Sequence, residues 1–395
     1  MIQQKHFKSR VRERMQKTGE SYSTARMRID ASRGSVPGLA PGYPSRNAVS
    51  QYDAGLWQRV LDQSGVENPV ASRPFSEAML AGLAGGIGFM VFTFEYKTVT
   101  TATVVTRFHP GPYVKNLIER CGADIVQEST TSASLAQSKL DLALAGGSAV
   151  VVKATRGALP WFATEALEFS DSVDVVVAGN DGGSYLIDDG GGTLRRADAA
   201  ELASARARRK ADKHWQAHVA GPGGLTAEGL GSRIRLAVAE TALGLLGEDA
   251  PAGIPDRFSG NFGIPGMRTW AGRLRDVRTK KGWTTMFQEE KRLRPALGQL
   301  RTFLDASGWG GPGALRPLYA EFLEEAAGTK GLGGLGRVST QYRALGARWA
   351  ALAQLVDVSC PADQRTALFG SMAAALDGII EAEETAGRAL AEAVR

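Results

Sequence analysis

Ser76-Glu77-Ala78-Met79-Leu80-Ala81-Gly82-Leu83-Ala84-Gly85-Gly86-Ile87-Gly88-Phe89-Met90-Val91-Phe92-Thr93-Phe94 is the stretch on which the fold turns. It holds the longest apolar run of the chain, Ala78 to Phe94, and two structures compete for it. A membrane span needs about 20 steady apolar residues. Gly82, Gly85, Gly86 and Gly88 break this run into shorter pieces. They read as a short helix with Ser76 as N-cap, a glycine turn, and a buried strand from Ile87 to Phe94. No membrane partner is therefore expected. No apolar h-region follows the basic N-terminus, and the expected compartment is the cytoplasm.

Outward from that stretch the pattern stays mixed to about residue 215. Ala54 to Gln63 puts Leu56, Val60 and Leu61 on one helical face. Ala149 to Val152, Val173 to Ala178 and Tyr185 to Ile187 are short β-branched or aromatic runs that suit buried strands. Asp181-Gly182, between the last two, is a hairpin signal. Helices first and antiparallel strands later predict an α+β domain over 47–215. After Gly221-Pro222-Gly223-Gly224, read as a hinge over 216–227, only helical spacing recurs. Leu315, Leu318, Tyr319, Phe322 and Leu323 form one stripe, with Pro317 in its first turn. Val338, Tyr342, Leu345, Trp349, Leu352 and Val356 form a second, and Leu368, Met372, Ile379 and Leu390 a third. Such helices predict an all-α, bundle-like domain over 228–395.

Composition narrows the function. With 395 residues, 43% hydrophobic and 22% charged, the chain can fill two ordinary cores. Its two cysteines, Cys121 and Cys360, are far apart and lack metal-ligand spacing, so neither a disulfide framework nor a structural zinc is expected. No metal and no cofactor are expected elsewhere. His214 and His218 would share a face on a helix, but no third ligand accompanies them, and they read as a surface pair. The Gly82–Gly88 cluster fits neither phosphate-binding spacing; close helix–strand packing accounts for it.

The charge is concentrated. Residues 1–36 carry nine lysines and arginines against three acids, which accounts for the whole net charge of +6. This basic helical arm, with Arg10, Arg12, Arg14, Arg26 and Arg28, is suited to nucleic-acid phosphates or an acidic partner. A Pro/Gly linker over 37–46 joins it to the mixed domain.

Pro74 to Phe89, together with Asp174-Val175-Val176-Val177-Ala178-Gly179-Asn180-Asp181, resembles the N-terminal domain of butirosin biosynthesis protein H. Gly266-Met267-Arg268-Thr269-Trp270-Ala271 followed by Trp283 resembles the helical domain of unknown function that often follows it. The resemblance runs from about residue 47 to 390. It implies a fold similar to papain-like and bacteriocin-processing cysteine peptidases, and transfer of an acyl group from a carrier protein to an amine. A cysteine would attack the thioester, a histidine would activate it, and an acid would orient the histidine. Here Tyr52 stands in the cysteine slot and Asp174 in the histidine slot. Only the acid remains, at Asp188 or Asp189.

The expectation is a catalytically degenerate acyltransferase-fold protein, a pseudoenzyme with an accessory or regulatory role in specialised metabolism. It would bind an acyl, peptidyl or acyl-carrier-protein ligand in a cleft between the domains. Candidate cleft residues are Ser50, Ser76, Glu77, Gly85, Gly86, Gly88, His109, Asn180, Asp181 and Glu383. Glu383 continues the Ile379 stripe at i+4; facing inward it would need an arginine partner or a cleft, and a partly exposed edge position is the default reading. Two alternatives stand beside this reading: an active acyltransferase with an unorthodox nucleophile such as Ser50, and an adaptor that binds through the basic arm. The oligomeric state is left open, a homo-oligomer included.

Overall fold

The computed structural model describes residues 36–44, 47–97, 100–162, 172–249, 251, 253–306 and 309–395. Its first elements are α1 (Tyr52–Gln63), β1 (Glu67–Asn68), β2 (Arg73–Pro74) and α2 (Glu77–Ala84). Then come β3 (Ile87–Glu95), β4 (Thr100–Arg107) and α3 (Pro110–Cys121). The Ser76–Phe94 stretch is the helix, turn and strand that its glycines predict. Ser76 Oγ accepts the Met79 N–H at 2.9 Å to open α2. Gly85 and Gly86 then adopt φ of 126° and 64°, and a Cβ on either would collide with Phe108 or Tyr319. α2 is buried on every side by α1, α3 and helices of the C-terminal half, which explains why it is apolar all round.

The six-stranded sheet follows: β5 (Asp124–Glu128), α4 (Ala133–Ala145), β6 (Val150–Thr155), β7 (Ser172–Asn180), β8 (Tyr185–Asp188), β9 (Arg195–Ala197), α5 (Ala199–Ala207) and β10 (Gln216–Gly221). Strand order is β5-β10-β6-β7-β8-β9, antiparallel throughout. Both faces are covered, so the central strands β6 and β7 are valine-rich rather than alternating. Val175 and Val177 pack with Leu140 of α4 and Leu202 of α5. Val176 and Ala178 point the other way, into the cluster that contains Trp57 and Val60 of α1. The β3–β4 hairpin stands outside this sheet and packs on the helical half.

That half contains α6 (Ala227–Leu246), α7 (Gly263–Arg275), α8 (Trp283–Met286), α9 (Glu290–Asp305), α10 (Arg316–Ala327), α11 (Leu335–Gln354) and α12 (Arg365–Glu392). The three stripes read from sequence lie on α10, α11 and α12, and Pro317 falls in the first turn of α10. The fold class is α+β with a helical C-terminal region. One hydrophobic cluster runs from α1 and α2 through α6 and α10 to α12, so the two halves share a core.

Two local readings change. The segment 216–227 opens with β10, which sits between β5 and β6, so its first part is sheet rather than hinge. His218 lies on β10 and His214 has a φ of 46°, so the pair is not on a helix. Strand pairing, which depends on distant residues, overrode the i, i+4 spacing. The described part of the linker, 37–44, is tied to the sheet, with Ala40 N–H donating to Ala178 O at 2.8 Å.

Candidate functional site

The site is built at the start of α1. Gln51 caps the helix: its Oε1 accepts the Ala54 N–H at 2.7 Å. Its own backbone N–H donates to Glu77 Oε1 at 2.5 Å. Glu77 thus fixes where α1 begins and sets Tyr52 as the first helical residue. Burial raises the Glu77 pKa despite that bond.

Strand register decides what meets Tyr52 from the sheet. Lys153 of β6 stands opposite Asp174 of β7, and Val176, two residues on, stands opposite Asp188 of β8. Side chains alternate along a strand, so Asp174 and Asp188 share the face that α1 covers. Tyr52, Asp174 and Asp188 thus lie on three neighbouring elements around one face.

Both aspartates are already committed to other side chains. Lys153 Nζ donates to Asp174 Oδ1 at 2.9 Å. Asp174 is almost fully buried, and its Oδ2 closes no hydrogen bond. Trp57 Nε1, close enough to favour the charged form of Asp174, closes none either. Burial lifts the Asp174 carboxyl, Lys153 lowers it and Asp53 lifts it, leaving it raised. Lys153 is raised too, because Asp174 outweighs the effect of burial. As a pair they hold protons tightly. Asp188 is fully buried, with Arg59 Nη1 at 2.6 Å from Oδ1 and Tyr43 OH at 2.8 Å from Oδ2. Neighbouring Asp189 accepts from Trp161 Nε1 at 2.8 Å.

Tyr52 itself is partly exposed, but its hydroxyl is enclosed. Burial, and then the Asp53 charge, push the phenol well above its ordinary pKa, more than Arg107 offsets. A phenol held neutral is a poor nucleophile at physiological pH. Arg107 Nη1 donates to Tyr52 OH at 3.3 Å, and Arg107 Nη2 pairs with Asp53 Oδ2 at 2.6 Å. The Arg107 guanidinium also lies 4.3 Å from the Tyr113 ring centroid. On the outer side, the Tyr52 ring meets Trp309 at 5.6 Å. Arg156 lies between Phe162 and Trp309, 4.0 and 5.1 Å from their centroids. The rim is therefore aromatic and cationic.

Residues 51–190 match the family model described as butirosin biosynthesis protein H, N-terminal, and residues 200–390 match a domain of unknown function (DUF4872). The chain belongs to the butirosin biosynthesis protein H-like family. Membership puts it among biosynthetic-pathway proteins. No curated protein matches it. In this family member both matched regions build the rim, since Trp309 comes from the second and Tyr52 from the first. Among the described residues no helix is long and apolar enough to cross a membrane, and no group of His, Cys, Asp and Glu could hold a metal.

The other sequence candidates scatter. Ser50 lies just outside the N-cap, and its backbone favours the Glu77 carboxylate. Asn180 and Asp181 are turn residues: Asn180 Oδ1 accepts the Gly182 N–H, and Asp181 Oδ1 those of Gly183 and Ser184. A Cβ on Gly88 would strike the Arg107 backbone. Glu383 is fully buried; Arg316 Nε at 2.7 Å and Trp349 Nε1 at 2.8 Å both reach its Oε1. Arg316 also donates to Thr106 O and Gly88 O, tying α10 and α12 to the β3–β4 hairpin. Cys121 is buried, with Sγ 3.3 Å from Ile118 O. It ends α3, whereas His109 caps the start, which puts them about 18 Å apart along one helix axis. They form no dyad. Arg10, Arg12, Arg14, Arg26 and Arg28 lie outside the described residues.

Sequence reasoning missed Asp53, Arg59, Arg107, Lys153, Arg156 and Trp309. Tyr43 was hidden in the linker. Only β4 left a usable signal, the dense β-branched run Thr100-Thr101-Ala102-Thr103-Val104-Val105-Thr106.

Proposed function

We propose that the chain is a catalytically degenerate member of an acyltransferase scaffold, an accessory protein that holds an acyl, peptidyl or carrier-protein ligand over Tyr52. The papain-like reading is supported by the placement of Tyr52 at the head of α1, across from Asp174 and Asp188 on adjacent antiparallel strands. The observation that carries the degenerate reading is the Lys153–Asp174 pair: the group in the base position already serves a lysine. Neutral Tyr52 and the Arg59-bound Asp188 agree with it. The exposed aromatic rim and Arg156 give a ligand something to rest on.

Thioester consumption by the wild type and by the double variant Tyr52→Ala, Asp174→Ala tests this. With an acyl-loaded carrier protein and an amine, both should show only the uncatalysed rate. A wild-type rate well above background that the double variant loses would mean that catalysis never departed.

A further inference from the structure

Arg107, which donates to Tyr52, also lines a cavity. The cavity encloses about 240 Å³ between β3, the start of α3, the end of α6 and the start of α7, so both family-matched regions line it. Small-molecule sites favour such junctions. A cavity of roughly 150 Å³ can hold benzene, so this one suits a ligand of about ten non-hydrogen atoms.

Its walls are apolar at Ile87, Phe108 and Leu245, and the Arg107 cation and the His109 imidazole line it as well. Arg107 is 7% exposed, and its Nε has no hydrogen-bond partner. His109 Nδ1 accepts the Gly111 N–H at 3.3 Å, and burial, then Arg107, lowers its pKa. The neutral ring therefore carries its proton on Nε2, a donor. The opposite sign is present as well. Asp249 is exposed at the cavity with no ion pair among the described residues, and the last turn of α6 brings its carbonyl end there. Glu240, the other acid, is already paired with Arg120 at 2.7 Å.

A cation beside an imidazole, an unpaired carboxylate and an apolar floor describe a small zwitterion. We propose that this cavity binds a free α-amino acid with an apolar side chain, its carboxylate toward Arg107 and His109 and its ammonium toward Asp249. This site shares Arg107 with the Tyr52 cluster, but amino-acid binding is read by a different measurement from the thioester assay.

Calorimetric titration of the full chain with L-leucine, isoamylamine and isocaproate tests the proposal. L-leucine should bind more tightly than either single-charge analogue by about fivefold, the scale of a solvent-screened ion pair. Asp249→Asn should weaken L-leucine and isoamylamine alike and leave isocaproate unchanged. Gly244 lines the cavity, and a Cβ there meets nothing within 4 Å, so Gly244→Leu should fill the space, keep the Tm and remove binding. The proposal is overturned by absence of L-leucine binding at millimolar concentration, by isocaproate binding as tightly as L-leucine, or by a folded Gly244→Leu variant with wild-type affinity. Asp249, being exposed, keeps the test open even if Gly244→Leu misfolds.

Discussion

Buried ion pairs stand at two places that differ in kind. Arg316–Glu383 lies in the helical half with both side chains fully out of solvent, and Arg316 also donates to two backbone carbonyls of the hairpin. It acts as a clasp between distant segments. The pairs around Tyr52, Lys153–Asp174, Arg107–Asp53 and Arg59–Asp188, gather instead at the head of α1. On the proposed reading, a charge network there fills the space that a reactive dyad would need. An ion pair thus joins distant segments in one place and, on that reading, occupies a former site in the other.

Breaking the clasp should have the largest effect. Glu383→Ala strands Arg316 and should cost about 3–5 kcal/mol in urea unfolding. A loss below about 1 kcal/mol would put the clasp on a par with a surface pair. Asp53→Ala leaves the 7%-exposed Arg107 side chain uncompensated and should cost about 3 kcal/mol by the same measurement.

Lys153→Met should cost only about 1 kcal/mol, since Lys153 is 30% exposed. Its sharper signature is in pH. A buried aspartate with a raised folded pKa disfavours the folded state once ionised, and that penalty lifts as pH falls through the folded value. Without Lys153 the penalty grows, so the variant should gain more stability than wild type between neutral and mildly acidic pH. Equal pH profiles would mean that Lys153 does not stabilise the Asp174 charge.

The smallest effect belongs to His109. Its folded pKa lies below the ordinary 6.5, so its stabilising contribution is full above 6.5 and is lost as pH falls toward the folded value. His109→Gln should flatten that part of the stability profile.

The sequence revealed what depends on local periodicity. α10, α11 and α12 follow from their apolar stripes, whereas Glu383, read by default as a partly exposed edge residue, is fully buried because Arg316 and Trp349 reach its carboxylate. The Ser76–Phe94 helix and strand follow from glycine placement. The partners of the site do not. Lys153 meets Asp174 only through β6–β7 register, and Arg107 reaches Asp53 from a hairpin outside the main sheet. Tyr43 looked like linker because proline and glycine surround it, yet its hydroxyl reaches Asp188. Such pairings are set by tertiary geometry, and spacing along the chain carries no trace of them.

Intact-mass measurement after incubation with a thioester-loaded carrier protein bears most directly on the central claim. Unmodified mass is the predicted result, because Tyr52 is neutral, Asp174 serves Lys153 and Asp188 serves Arg59. An acyl adduct on Ser50, Tyr52 or Cys121 would contradict it and restore the chain to the working transferases.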